Sequence, residues 1–553
     1  MAPSITRKAK RAGAPPYNFS YIVVMKNPAT VSVFFGLVVA AGLALPFGGT
    51  AVAAPFGAPP MLLPAGDAAK AGVSNWIVGA RRGAESAAIA ARFNARRISG
   101  LPAFTVSRAE ARQLARSLAA AKLLTWAEPD IRAERQSAYE GRLGRWARVA
   151  VVPADFAWPT TGAVAVAVLD DRVDSSVSDL NQQTKYLNEG RVKDAHGTMV
   201  ASTISAVVGR GPVVGVFPGT PILSYGLTSF SCADVAGGID KAIAAGARVI
   251  NMSIGTENGC FTMNAAIQRA YSKDVLSVAS AGNEFEEGNP TEYPAAFPHV
   301  VSVAATDSKG EVSKFSNANA AVDVSAPGVE VPVDVPLRFD TEDDEADGVT
   351  TTDGTSFSSP ITAGAAAWIA TARPELKAGQ IADLLKKGAK DIAPKGYDRY
   401  SGWGLINIPA SLALAAPVID PLEPNDSIAL VDGTALGAKA GLLWNGGSSV
   451  SLFAKIDQVK DPLDVYRIRI PARSAAKISL TPKFGGVDLA IYSAGAKSAT
   501  GSRFRVAYSK RSGTAVERVT LRNSAGVAQS LYAAVSDNDT KLLNAEYTLR
   551  VGR

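Results

Sequence analysis

Only two histidines, His196 and His299, occur in 553 residues, so any chemistry that needs an imidazole has two candidates. His196 opens the stretch HGTMVASTISAVV, whose Val200, Ile204 and Val207–Val208 fall on one helical face. Ser356 opens a second helical stretch within GTSFSSPITAGAAAWIA, with Pro360 in its first turn, where a missing N–H costs little. Two apolar runs end in polar side chains: VAVAVLD at Asp170 and VLSVASAGN at Asn283. Together these types suit acyl transfer. A serine hydroxyl is a weak nucleophile until a base takes its proton. His196 can be that base if Asp170 fixes its tautomer and stabilises the imidazolium formed during attack. The Asn283 amide and the Ser356 backbone N–H are the natural donors for a tetrahedral oxyanion. Each residue also has a bland alternative, as a core histidine, a helix-capping serine or a turn asparagine. His299, leading into the FPHVVSV run, reads as structural.

The segments around these residues say what must position them. From about 145 to 410, short and almost wholly apolar runs alternate with helical stretches, which predicts a parallel sheet covered on both faces. Ligands of such sheets bind at the carboxyl ends of the strands, where Asp170, Ser253-Ile254-Gly255 and Asn283 all fall. After Pro417 the texture changes to alternating strands with turn residues and no convincing helix, a β-sandwich signature. Residues 75–134 predict a small α+β unit of three strands and two helices, the second helix capped by Ser107 and Glu110.

Composition narrows the class. The length implies several domains, and 47% hydrophobic with 19% charged residues argues against wholesale disorder. The net charge of +7 is scattered and forms no basic patch with aromatics, which excludes nucleic acid as a partner. Two cysteines cannot build a four-thiolate zinc site. The N-terminus carries RKAKR at 7–11, an apolar run from Val31 to Leu45 and Ala51-Val52-Ala53, the pattern of a secretory signal over 1–53. Met25 is an alternative start. The run is shorter than the roughly 20 residues a spanning helix needs, so no stable membrane association is expected. Export, to the periplasm or beyond, permits a Cys232–Cys260 disulfide.

Eight short words settle the resemblance: HGT (196–198), NMSIG (251–255), SAGN (280–283), VSVAATD (301–307), FSN (315–317), VDVSAPG (322–328), GTSFSSP (354–360) and GWGLIN (402–407). They resemble the motifs of the subtilase family, in that family's order. The Asp…His…Ser order also separates the chain from α/β-hydrolases and chymotrypsin-like enzymes. The resemblance implies an α/β class: a subtilisin-like three-layer fold with a parallel central sheet, preceded by a small α+β propeptide and followed by a C-terminal β-sandwich. It implies serine endopeptidase activity on protein or peptide substrates, with Asp170, His196 and Ser356 as triad and Asn283 as oxyanion donor. Ser253, Ile254 and Gly255 would pair with an extended substrate, with Ala281 and Gly282 opposite. Glu292 falls at the base of the primary specificity pocket and Glu284 at its rim, which points to Lys or Arg before the scissile bond.

Its Pro, Ala and Gly content makes 54–74 a linker; by the same resemblance, 75–140 is an inhibitory propeptide, 141–415 the peptidase domain, and 131–148 the window for self-cleavage. The tail, 416–553, resembles the bacterial pre-peptidase C-terminal domain through LEPNDS, DVYRI and AEYTLRV. No cofactor is required for catalysis. Structural Ca²⁺ is common in the family, but no motif places it here, and the acidic run DTEDDEAD (340–347) reads as a solvated loop. Two departures stand out. Asp170-Asp171-Arg172 replaces the family's Asp-Ser/Thr-Gly, which makes Asp171 a rival for the orienting role. HGTMVAS places Met199 and Ser202 at positions expected to face packing. The competing readings are a catalytically silent binding protein and an enzyme that passes its acyl group to other nucleophiles.

Overall fold

The computed structural model describes residues 75–80, 83–97, 103–121, 123–129, 145–159, 162–341, 347–392, 394–537 and 544–553. The expected signal, the 54–74 linker, most of the self-cleavage window and the centre of the acidic run lie outside the described residues.

The first unit holds β1 (Asn75–Ala80), α1 (Ala84–Ala91), β2 (Arg96–Arg97), β3 (Ala103–Ser107), α2 (Arg108–Ala120) and β4 (Leu124–Pro129). Its antiparallel sheet has the order β2-β3-β1-β4. The apolar face of α2, Leu114 and Leu118, is buried with Val78, Phe104 and Val106. Ser107 caps α2 as expected: its hydroxyl accepts the Glu110 N–H at 3.4 Å and donates to the Glu110 carboxylate at 2.8 Å. The two-residue β2 has no strand signal in its Arg-Arg sequence and was not foreseen.

In the second unit, seven parallel strands form one sheet: β5 (Val166–Asp170), β6 (Thr184–Tyr186), β7 (Ile222–Gly226), β8 (Val249–Met252), β9 (Leu276–Ser280), β10 (Val300–Thr306) and β11 (Val324–Pro327). Their order is β11-β10-β9-β8-β5-β7-β6. Successive residues of β5 serve opposite faces. Val166 and Val168 pack with α3 (His196–Ser205) and α6 (Thr355–Ala372), whereas Ala167 and Leu169 pack with α4 (Cys232–Ala244) and α5 (Phe261–Ser272). The expected three layers follow from that alternation. A Cys232–Cys260 disulfide ties the first residue of α4 to the residue capping α5. A hairpin, β12 (Val331–Asp334) with β13 (Val349–Thr352), follows the sheet; its register pairs Val331 with Thr352.

The tail contributes β14 (Leu442–Trp444), β15 (Val450–Asp457), β16 (Leu463–Ile470), β17 (Ser474–Phe484), β18 (Val487–Ser493), β19 (Arg505–Ser509), β20 (Glu517–Asn523), β21 (Gln529–Asp537) and β22 (Asn544–Gly552). They form sheets of order β14-β16-β21-β18-β19 and β15-β22-β17-β20, with Tyr466, Ile478, Leu489 and Tyr547 buried together. This is the expected sandwich, with one correction: a single-turn helix, Ile428–Val431, precedes it, capped by Ser427. The tail is fastened to the seven-stranded sheet by Lys460, whose side chain is 7% exposed. Its ammonium donates to Asp323 at 2.5 Å and to the Val300 carbonyl at 2.7 Å, and Lys386 takes the other Asp323 oxygen at 2.8 Å.

Candidate active site

Asp170 ends β5 and is 1% exposed; His196 is the first residue of α3. The His196 Nδ1 lies 2.8 Å from Asp170 Oδ1. Two elements can meet this closely because Gly197 follows the histidine: a Cβ there would sit 1.9 Å from the Asp171 carbonyl oxygen. Burial opposes charging of the imidazole, but the Asp170 charge and hydrogen bond outweigh it, helped by Asp171 and Asp194, and hold its pKa above the ordinary value. Asp171 contacts Asp170 through its backbone, whose N–H donates to Asp170 Oδ1 at 2.7 Å. Its own carboxyl is raised to about 6, first by burial and then by Asp170 and Asp194. The hydrogen bond to the histidine ring is therefore made by Asp170. The departure that follows is absorbed locally, with Arg172 stacked 3.6 Å over Tyr186 and donating to the Asn188 carbonyl.

The start of α6 is knitted to the end of β8 by a buried hydrogen-bond chain. Ser359 Oγ donates to Asn251 Oδ1 at 2.7 Å, Asn251 Nδ2 to Ser253 Oγ at 3.0 Å, and Ser253 Oγ to the Ser356 carbonyl at 2.6 Å. Ser356 itself stays partly exposed, and the ring of the next residue, Phe357, lies 5.7 Å from that of His196. Asn283 lies three residues beyond the end of the adjacent strand β9. Its Oδ1 accepts both the N–H and the hydroxyl of Thr355, each at 2.9 Å. The amide is thereby oriented, leaving its Nδ2 donors uncommitted among the described residues.

On the substrate side, the β8 ladder stops at Met252, so Ser253, Ile254 and Gly255 are not themselves a strand of the sheet. Two hydrogen bonds, Thr256 N–H to Tyr293 O at 2.9 Å and Tyr293 N–H to Thr256 O at 2.8 Å, bring Glu292 against them. A Cβ on Gly255 would lie 1.7 Å from Glu292 Oε2. Opposite, Ala281 is buried and Gly282 adopts φ 107°, where a Cβ would lie 2.2 Å from Asn317 Nδ2. The Glu284 carboxylate accepts the Asn283 N–H at 2.7 Å and Asn317 Nδ2 at 3.2 Å. Glu292 is pushed up to about 8, first by burial and then by Glu284 and Glu257.

His299 stands apart from this cleft. Its Nδ1 meets Gln268 Oε1 at 2.7 Å and its ring stacks on Tyr271 at 3.8 Å. Met199 is 8% exposed and Ser202 fully buried, both in packing positions as expected. Sequence reasoning missed Thr355, Asn251 and Asn317. Each sits inside a quoted motif, but its partner comes from another one. The described groups that could ligate a metal lie at the junction with the tail, not in this cleft.

A family model described as the subtilase family matches residues 161–404. Subtilisin DY of Bacillus licheniformis is 33% identical over 264 residues, covering 45% of this chain and 90% of its own. The subtilisin of Bacillus pumilus is 33% identical over 271 residues, covering 46% and 92%. Among solved structures, fervidolysin of Fervidobacterium pennivorans, a keratinolytic enzyme related to subtilisin, aligns with 19% identity and a TM-score of 0.47, over 81% of this chain and 85% of its own.

Proposed function

The chain belongs to the subtilase family and is a subtilisin-like serine endopeptidase, and from that premise we propose that Ser356 is its nucleophile, His196 the general base, Asp170 the residue that orients it, and Asn283 the oxyanion donor. The observation that carries this assignment is the 2.8 Å contact of His196 with Asp170, at the helix start facing that of Ser356. In the reaction, His196 takes the Ser356 proton as its oxygen attacks the peptide carbonyl. The bond to the amine breaks as His196 returns that proton, and water then releases the acyl group by the same steps in reverse. The uncommitted Asn283 amide supports the oxyanion at each tetrahedral stage.

The enzyme is made as a secreted, self-processing zymogen in which 75–140 is the inhibitory propeptide and 416–553 a pre-peptidase C-terminal-like tail. The leader at 1–53, the separate folding unit before residue 134 and the extracytoplasmic disulfide chemistry support this reading. The specificity pocket, bounded by Ser253–Gly255 and Ala281–Gly282, takes Lys or Arg through Glu292. Mass measurement and N-terminal sequencing of the wild type and Ser356→Ala test the assignment. The wild type should lose its first ~140 residues and the variant retain 54–140. Identical maturation of both, with no other protease present, would remove Ser356 from the mechanism.

A further inference from the structure

The carboxyl end of β5, where Asp170 stands, lies between β7 and β8, the two strands that pair with it. After β7, the Leu227 N–H donates to the Asp170 carbonyl at 2.8 Å, and the chain then reaches Cys232 at the start of α4. After β8, the chain passes through Ser253–Gly255, pairs Thr256 with Tyr293, and reaches Cys260 before α5. The Cys232–Cys260 disulfide therefore ties together the two segments that flank the catalytic aspartate, between cysteines 28 positions apart. Its two ends are not held alike. On the β7 side, Asp234 accepts the N–H groups of Thr228 and Ser229 at 2.7 Å each, and the Ser231 hydroxyl caps α4. On the β8 side, Glu257, Asn258 and Gly259 are exposed. Among the described residues they make one hydrogen bond, from the Asn258 N–H to Thr256 Oγ1 at 3.3 Å, and no side chain caps α5. Beyond the Thr256–Tyr293 pair, the covalent bond is the main tether of the wall that carries Gly255.

The bond is also placed where it can be opened. Both cysteines are only partly buried, so a thiolate can approach them. Each stands at the start of a helix of 12 or 13 residues, where unpaired N–H groups favour negative charge on a departing sulfur. A better stabilised thiolate leaves faster in thiol–disulfide exchange. The acidic group in the first turn of α4, Asp234, is already committed to the Thr228 and Ser229 N–H groups. We propose that the Cys232–Cys260 bridge is a reducible clamp on the substrate-binding walls, opened by dithiols, that sets how tightly an extended peptide is held. In the exchange, one thiolate of the dithiol attacks a cysteine sulfur and the S–S electron pair leaves on the other cysteine. The second thiolate then displaces the remaining cysteine. The dithiol is oxidised by two electrons to its cyclic disulfide, and its two protons end on Cys232 and Cys260. Opening the clamp removes preorganisation along the peptide, not the proton transfers at His196, so its cost falls on binding. This inference rests on the assignment of the cleft made above.

The test compares the wild-type enzyme with Cys232→Ser/Cys260→Ser. Each is treated with dithiothreitol under native conditions and assayed by initial rates. Two substrates are used: a peptide with roughly four residues before the scissile bond, and a single-residue ester. A portion is quenched with iodoacetamide and weighed intact. The wild type should take up two alkyl groups, and its KM for the long peptide should rise by about tenfold, with kcat and ester hydrolysis within about twofold. Reoxidation with oxidised glutathione should restore KM, which separates an opened clamp from self-digestion. The variant should show the raised KM throughout and ignore dithiothreitol. If the variant does not fold, the reduction and reoxidation cycle of the wild type decides alone. Alkylation that occurs only after denaturation, or an unchanged KM in the alkylated folded enzyme, would overturn the proposal. So would an equal and irreversible loss on both substrates, which would mark the bridge as structural. A disulfide-bonded protein that hydrolyses neither substrate would instead remove the cleft assignment, and the clamp with it.

Discussion

Thr355 grips the side-chain oxygen of Asn283 twice, through its backbone N–H and its hydroxyl, at 2.9 Å each. The residue immediately before the proposed nucleophile, Ser356, thus sets which end of the asparagine amide points away from Thr355. Thr355→Val keeps the backbone bond and the volume but loses the hydroxyl, and should lower kcat by about tenfold with KM little changed. Removing the corresponding donor outright from a subtilisin costs about 10²–10³ in kcat, and Asn283→Ala should do the same here. If Thr355→Val matched the wild type in steady-state hydrolysis of a peptide anilide, the hydroxyl would have no positioning role.

The His196 imidazole must be neutral to act as base, and its pKa is held above the ordinary 6.5. Activity is therefore lost as the pH falls through that raised value, so the acidic limb of kcat/KM should lie above 6.5. Asp171→Asn removes one of the negative neighbours and should move the limb to lower pH while leaving the plateau within about threefold. If Asp171 were the orienting carboxylate instead, the plateau itself would drop by about 10⁴. A pH–rate profile of the two proteins separates these outcomes.

Glu292, raised to about 8, is mostly uncharged at pH 6 and charged above pH 8. An arginine before the scissile bond keeps its charge throughout, so its advantage over leucine should grow with pH, on the order of tenfold between pH 6 and 9. Glu292→Gln should flatten that ratio. Paired Arg and Leu substrates measured across the range check it, and a ratio that ignores both pH and the substitution would rule out the carboxylate as the determinant.

Lys460 is buried against Asp323, with Lys386 as the second partner of that carboxylate. Lys460→Met should destabilise the folded chain by about 3 kcal/mol, the lower end for breaking a buried pair, because Lys386 still compensates Asp323. Urea unfolding of the Ser356→Ala chain with and without the substitution measures it. A change under about 0.5 kcal/mol would mean the pair contributes no more than a surface bridge.

The sheet and the cleft were legible in the sequence because their signals are local. Runs such as VAVAVLD are apolar on every residue because both faces of β5 are covered, and each ends in the polar group the chemistry needs. The pairings between motifs were not legible. Asn317 and Glu284 lie 33 positions apart, and Lys460 and Asp323 lie 137 apart. No periodicity encodes either, since each depends on where the backbone arrives. Among the tail strands, β14, β15 and β19 went unread. The β19 residues RVAYS remain largely exposed, so their pattern lacks the buried face that marks a strand.

The contact at Gly197 also separates what this turn demands from what it leaves free. Helix α3 presses on position 171 through the carbonyl oxygen of that residue, an atom every amino acid supplies. A saturation library at 171 should consequently yield many self-processing clones, whereas at 197 any added carbon would push the histidine away from its carboxylate and leave glycine almost alone among the survivors. The two neighbours differ in mutational tolerance because one enters the contact with its main chain and the other with the absence of a side chain.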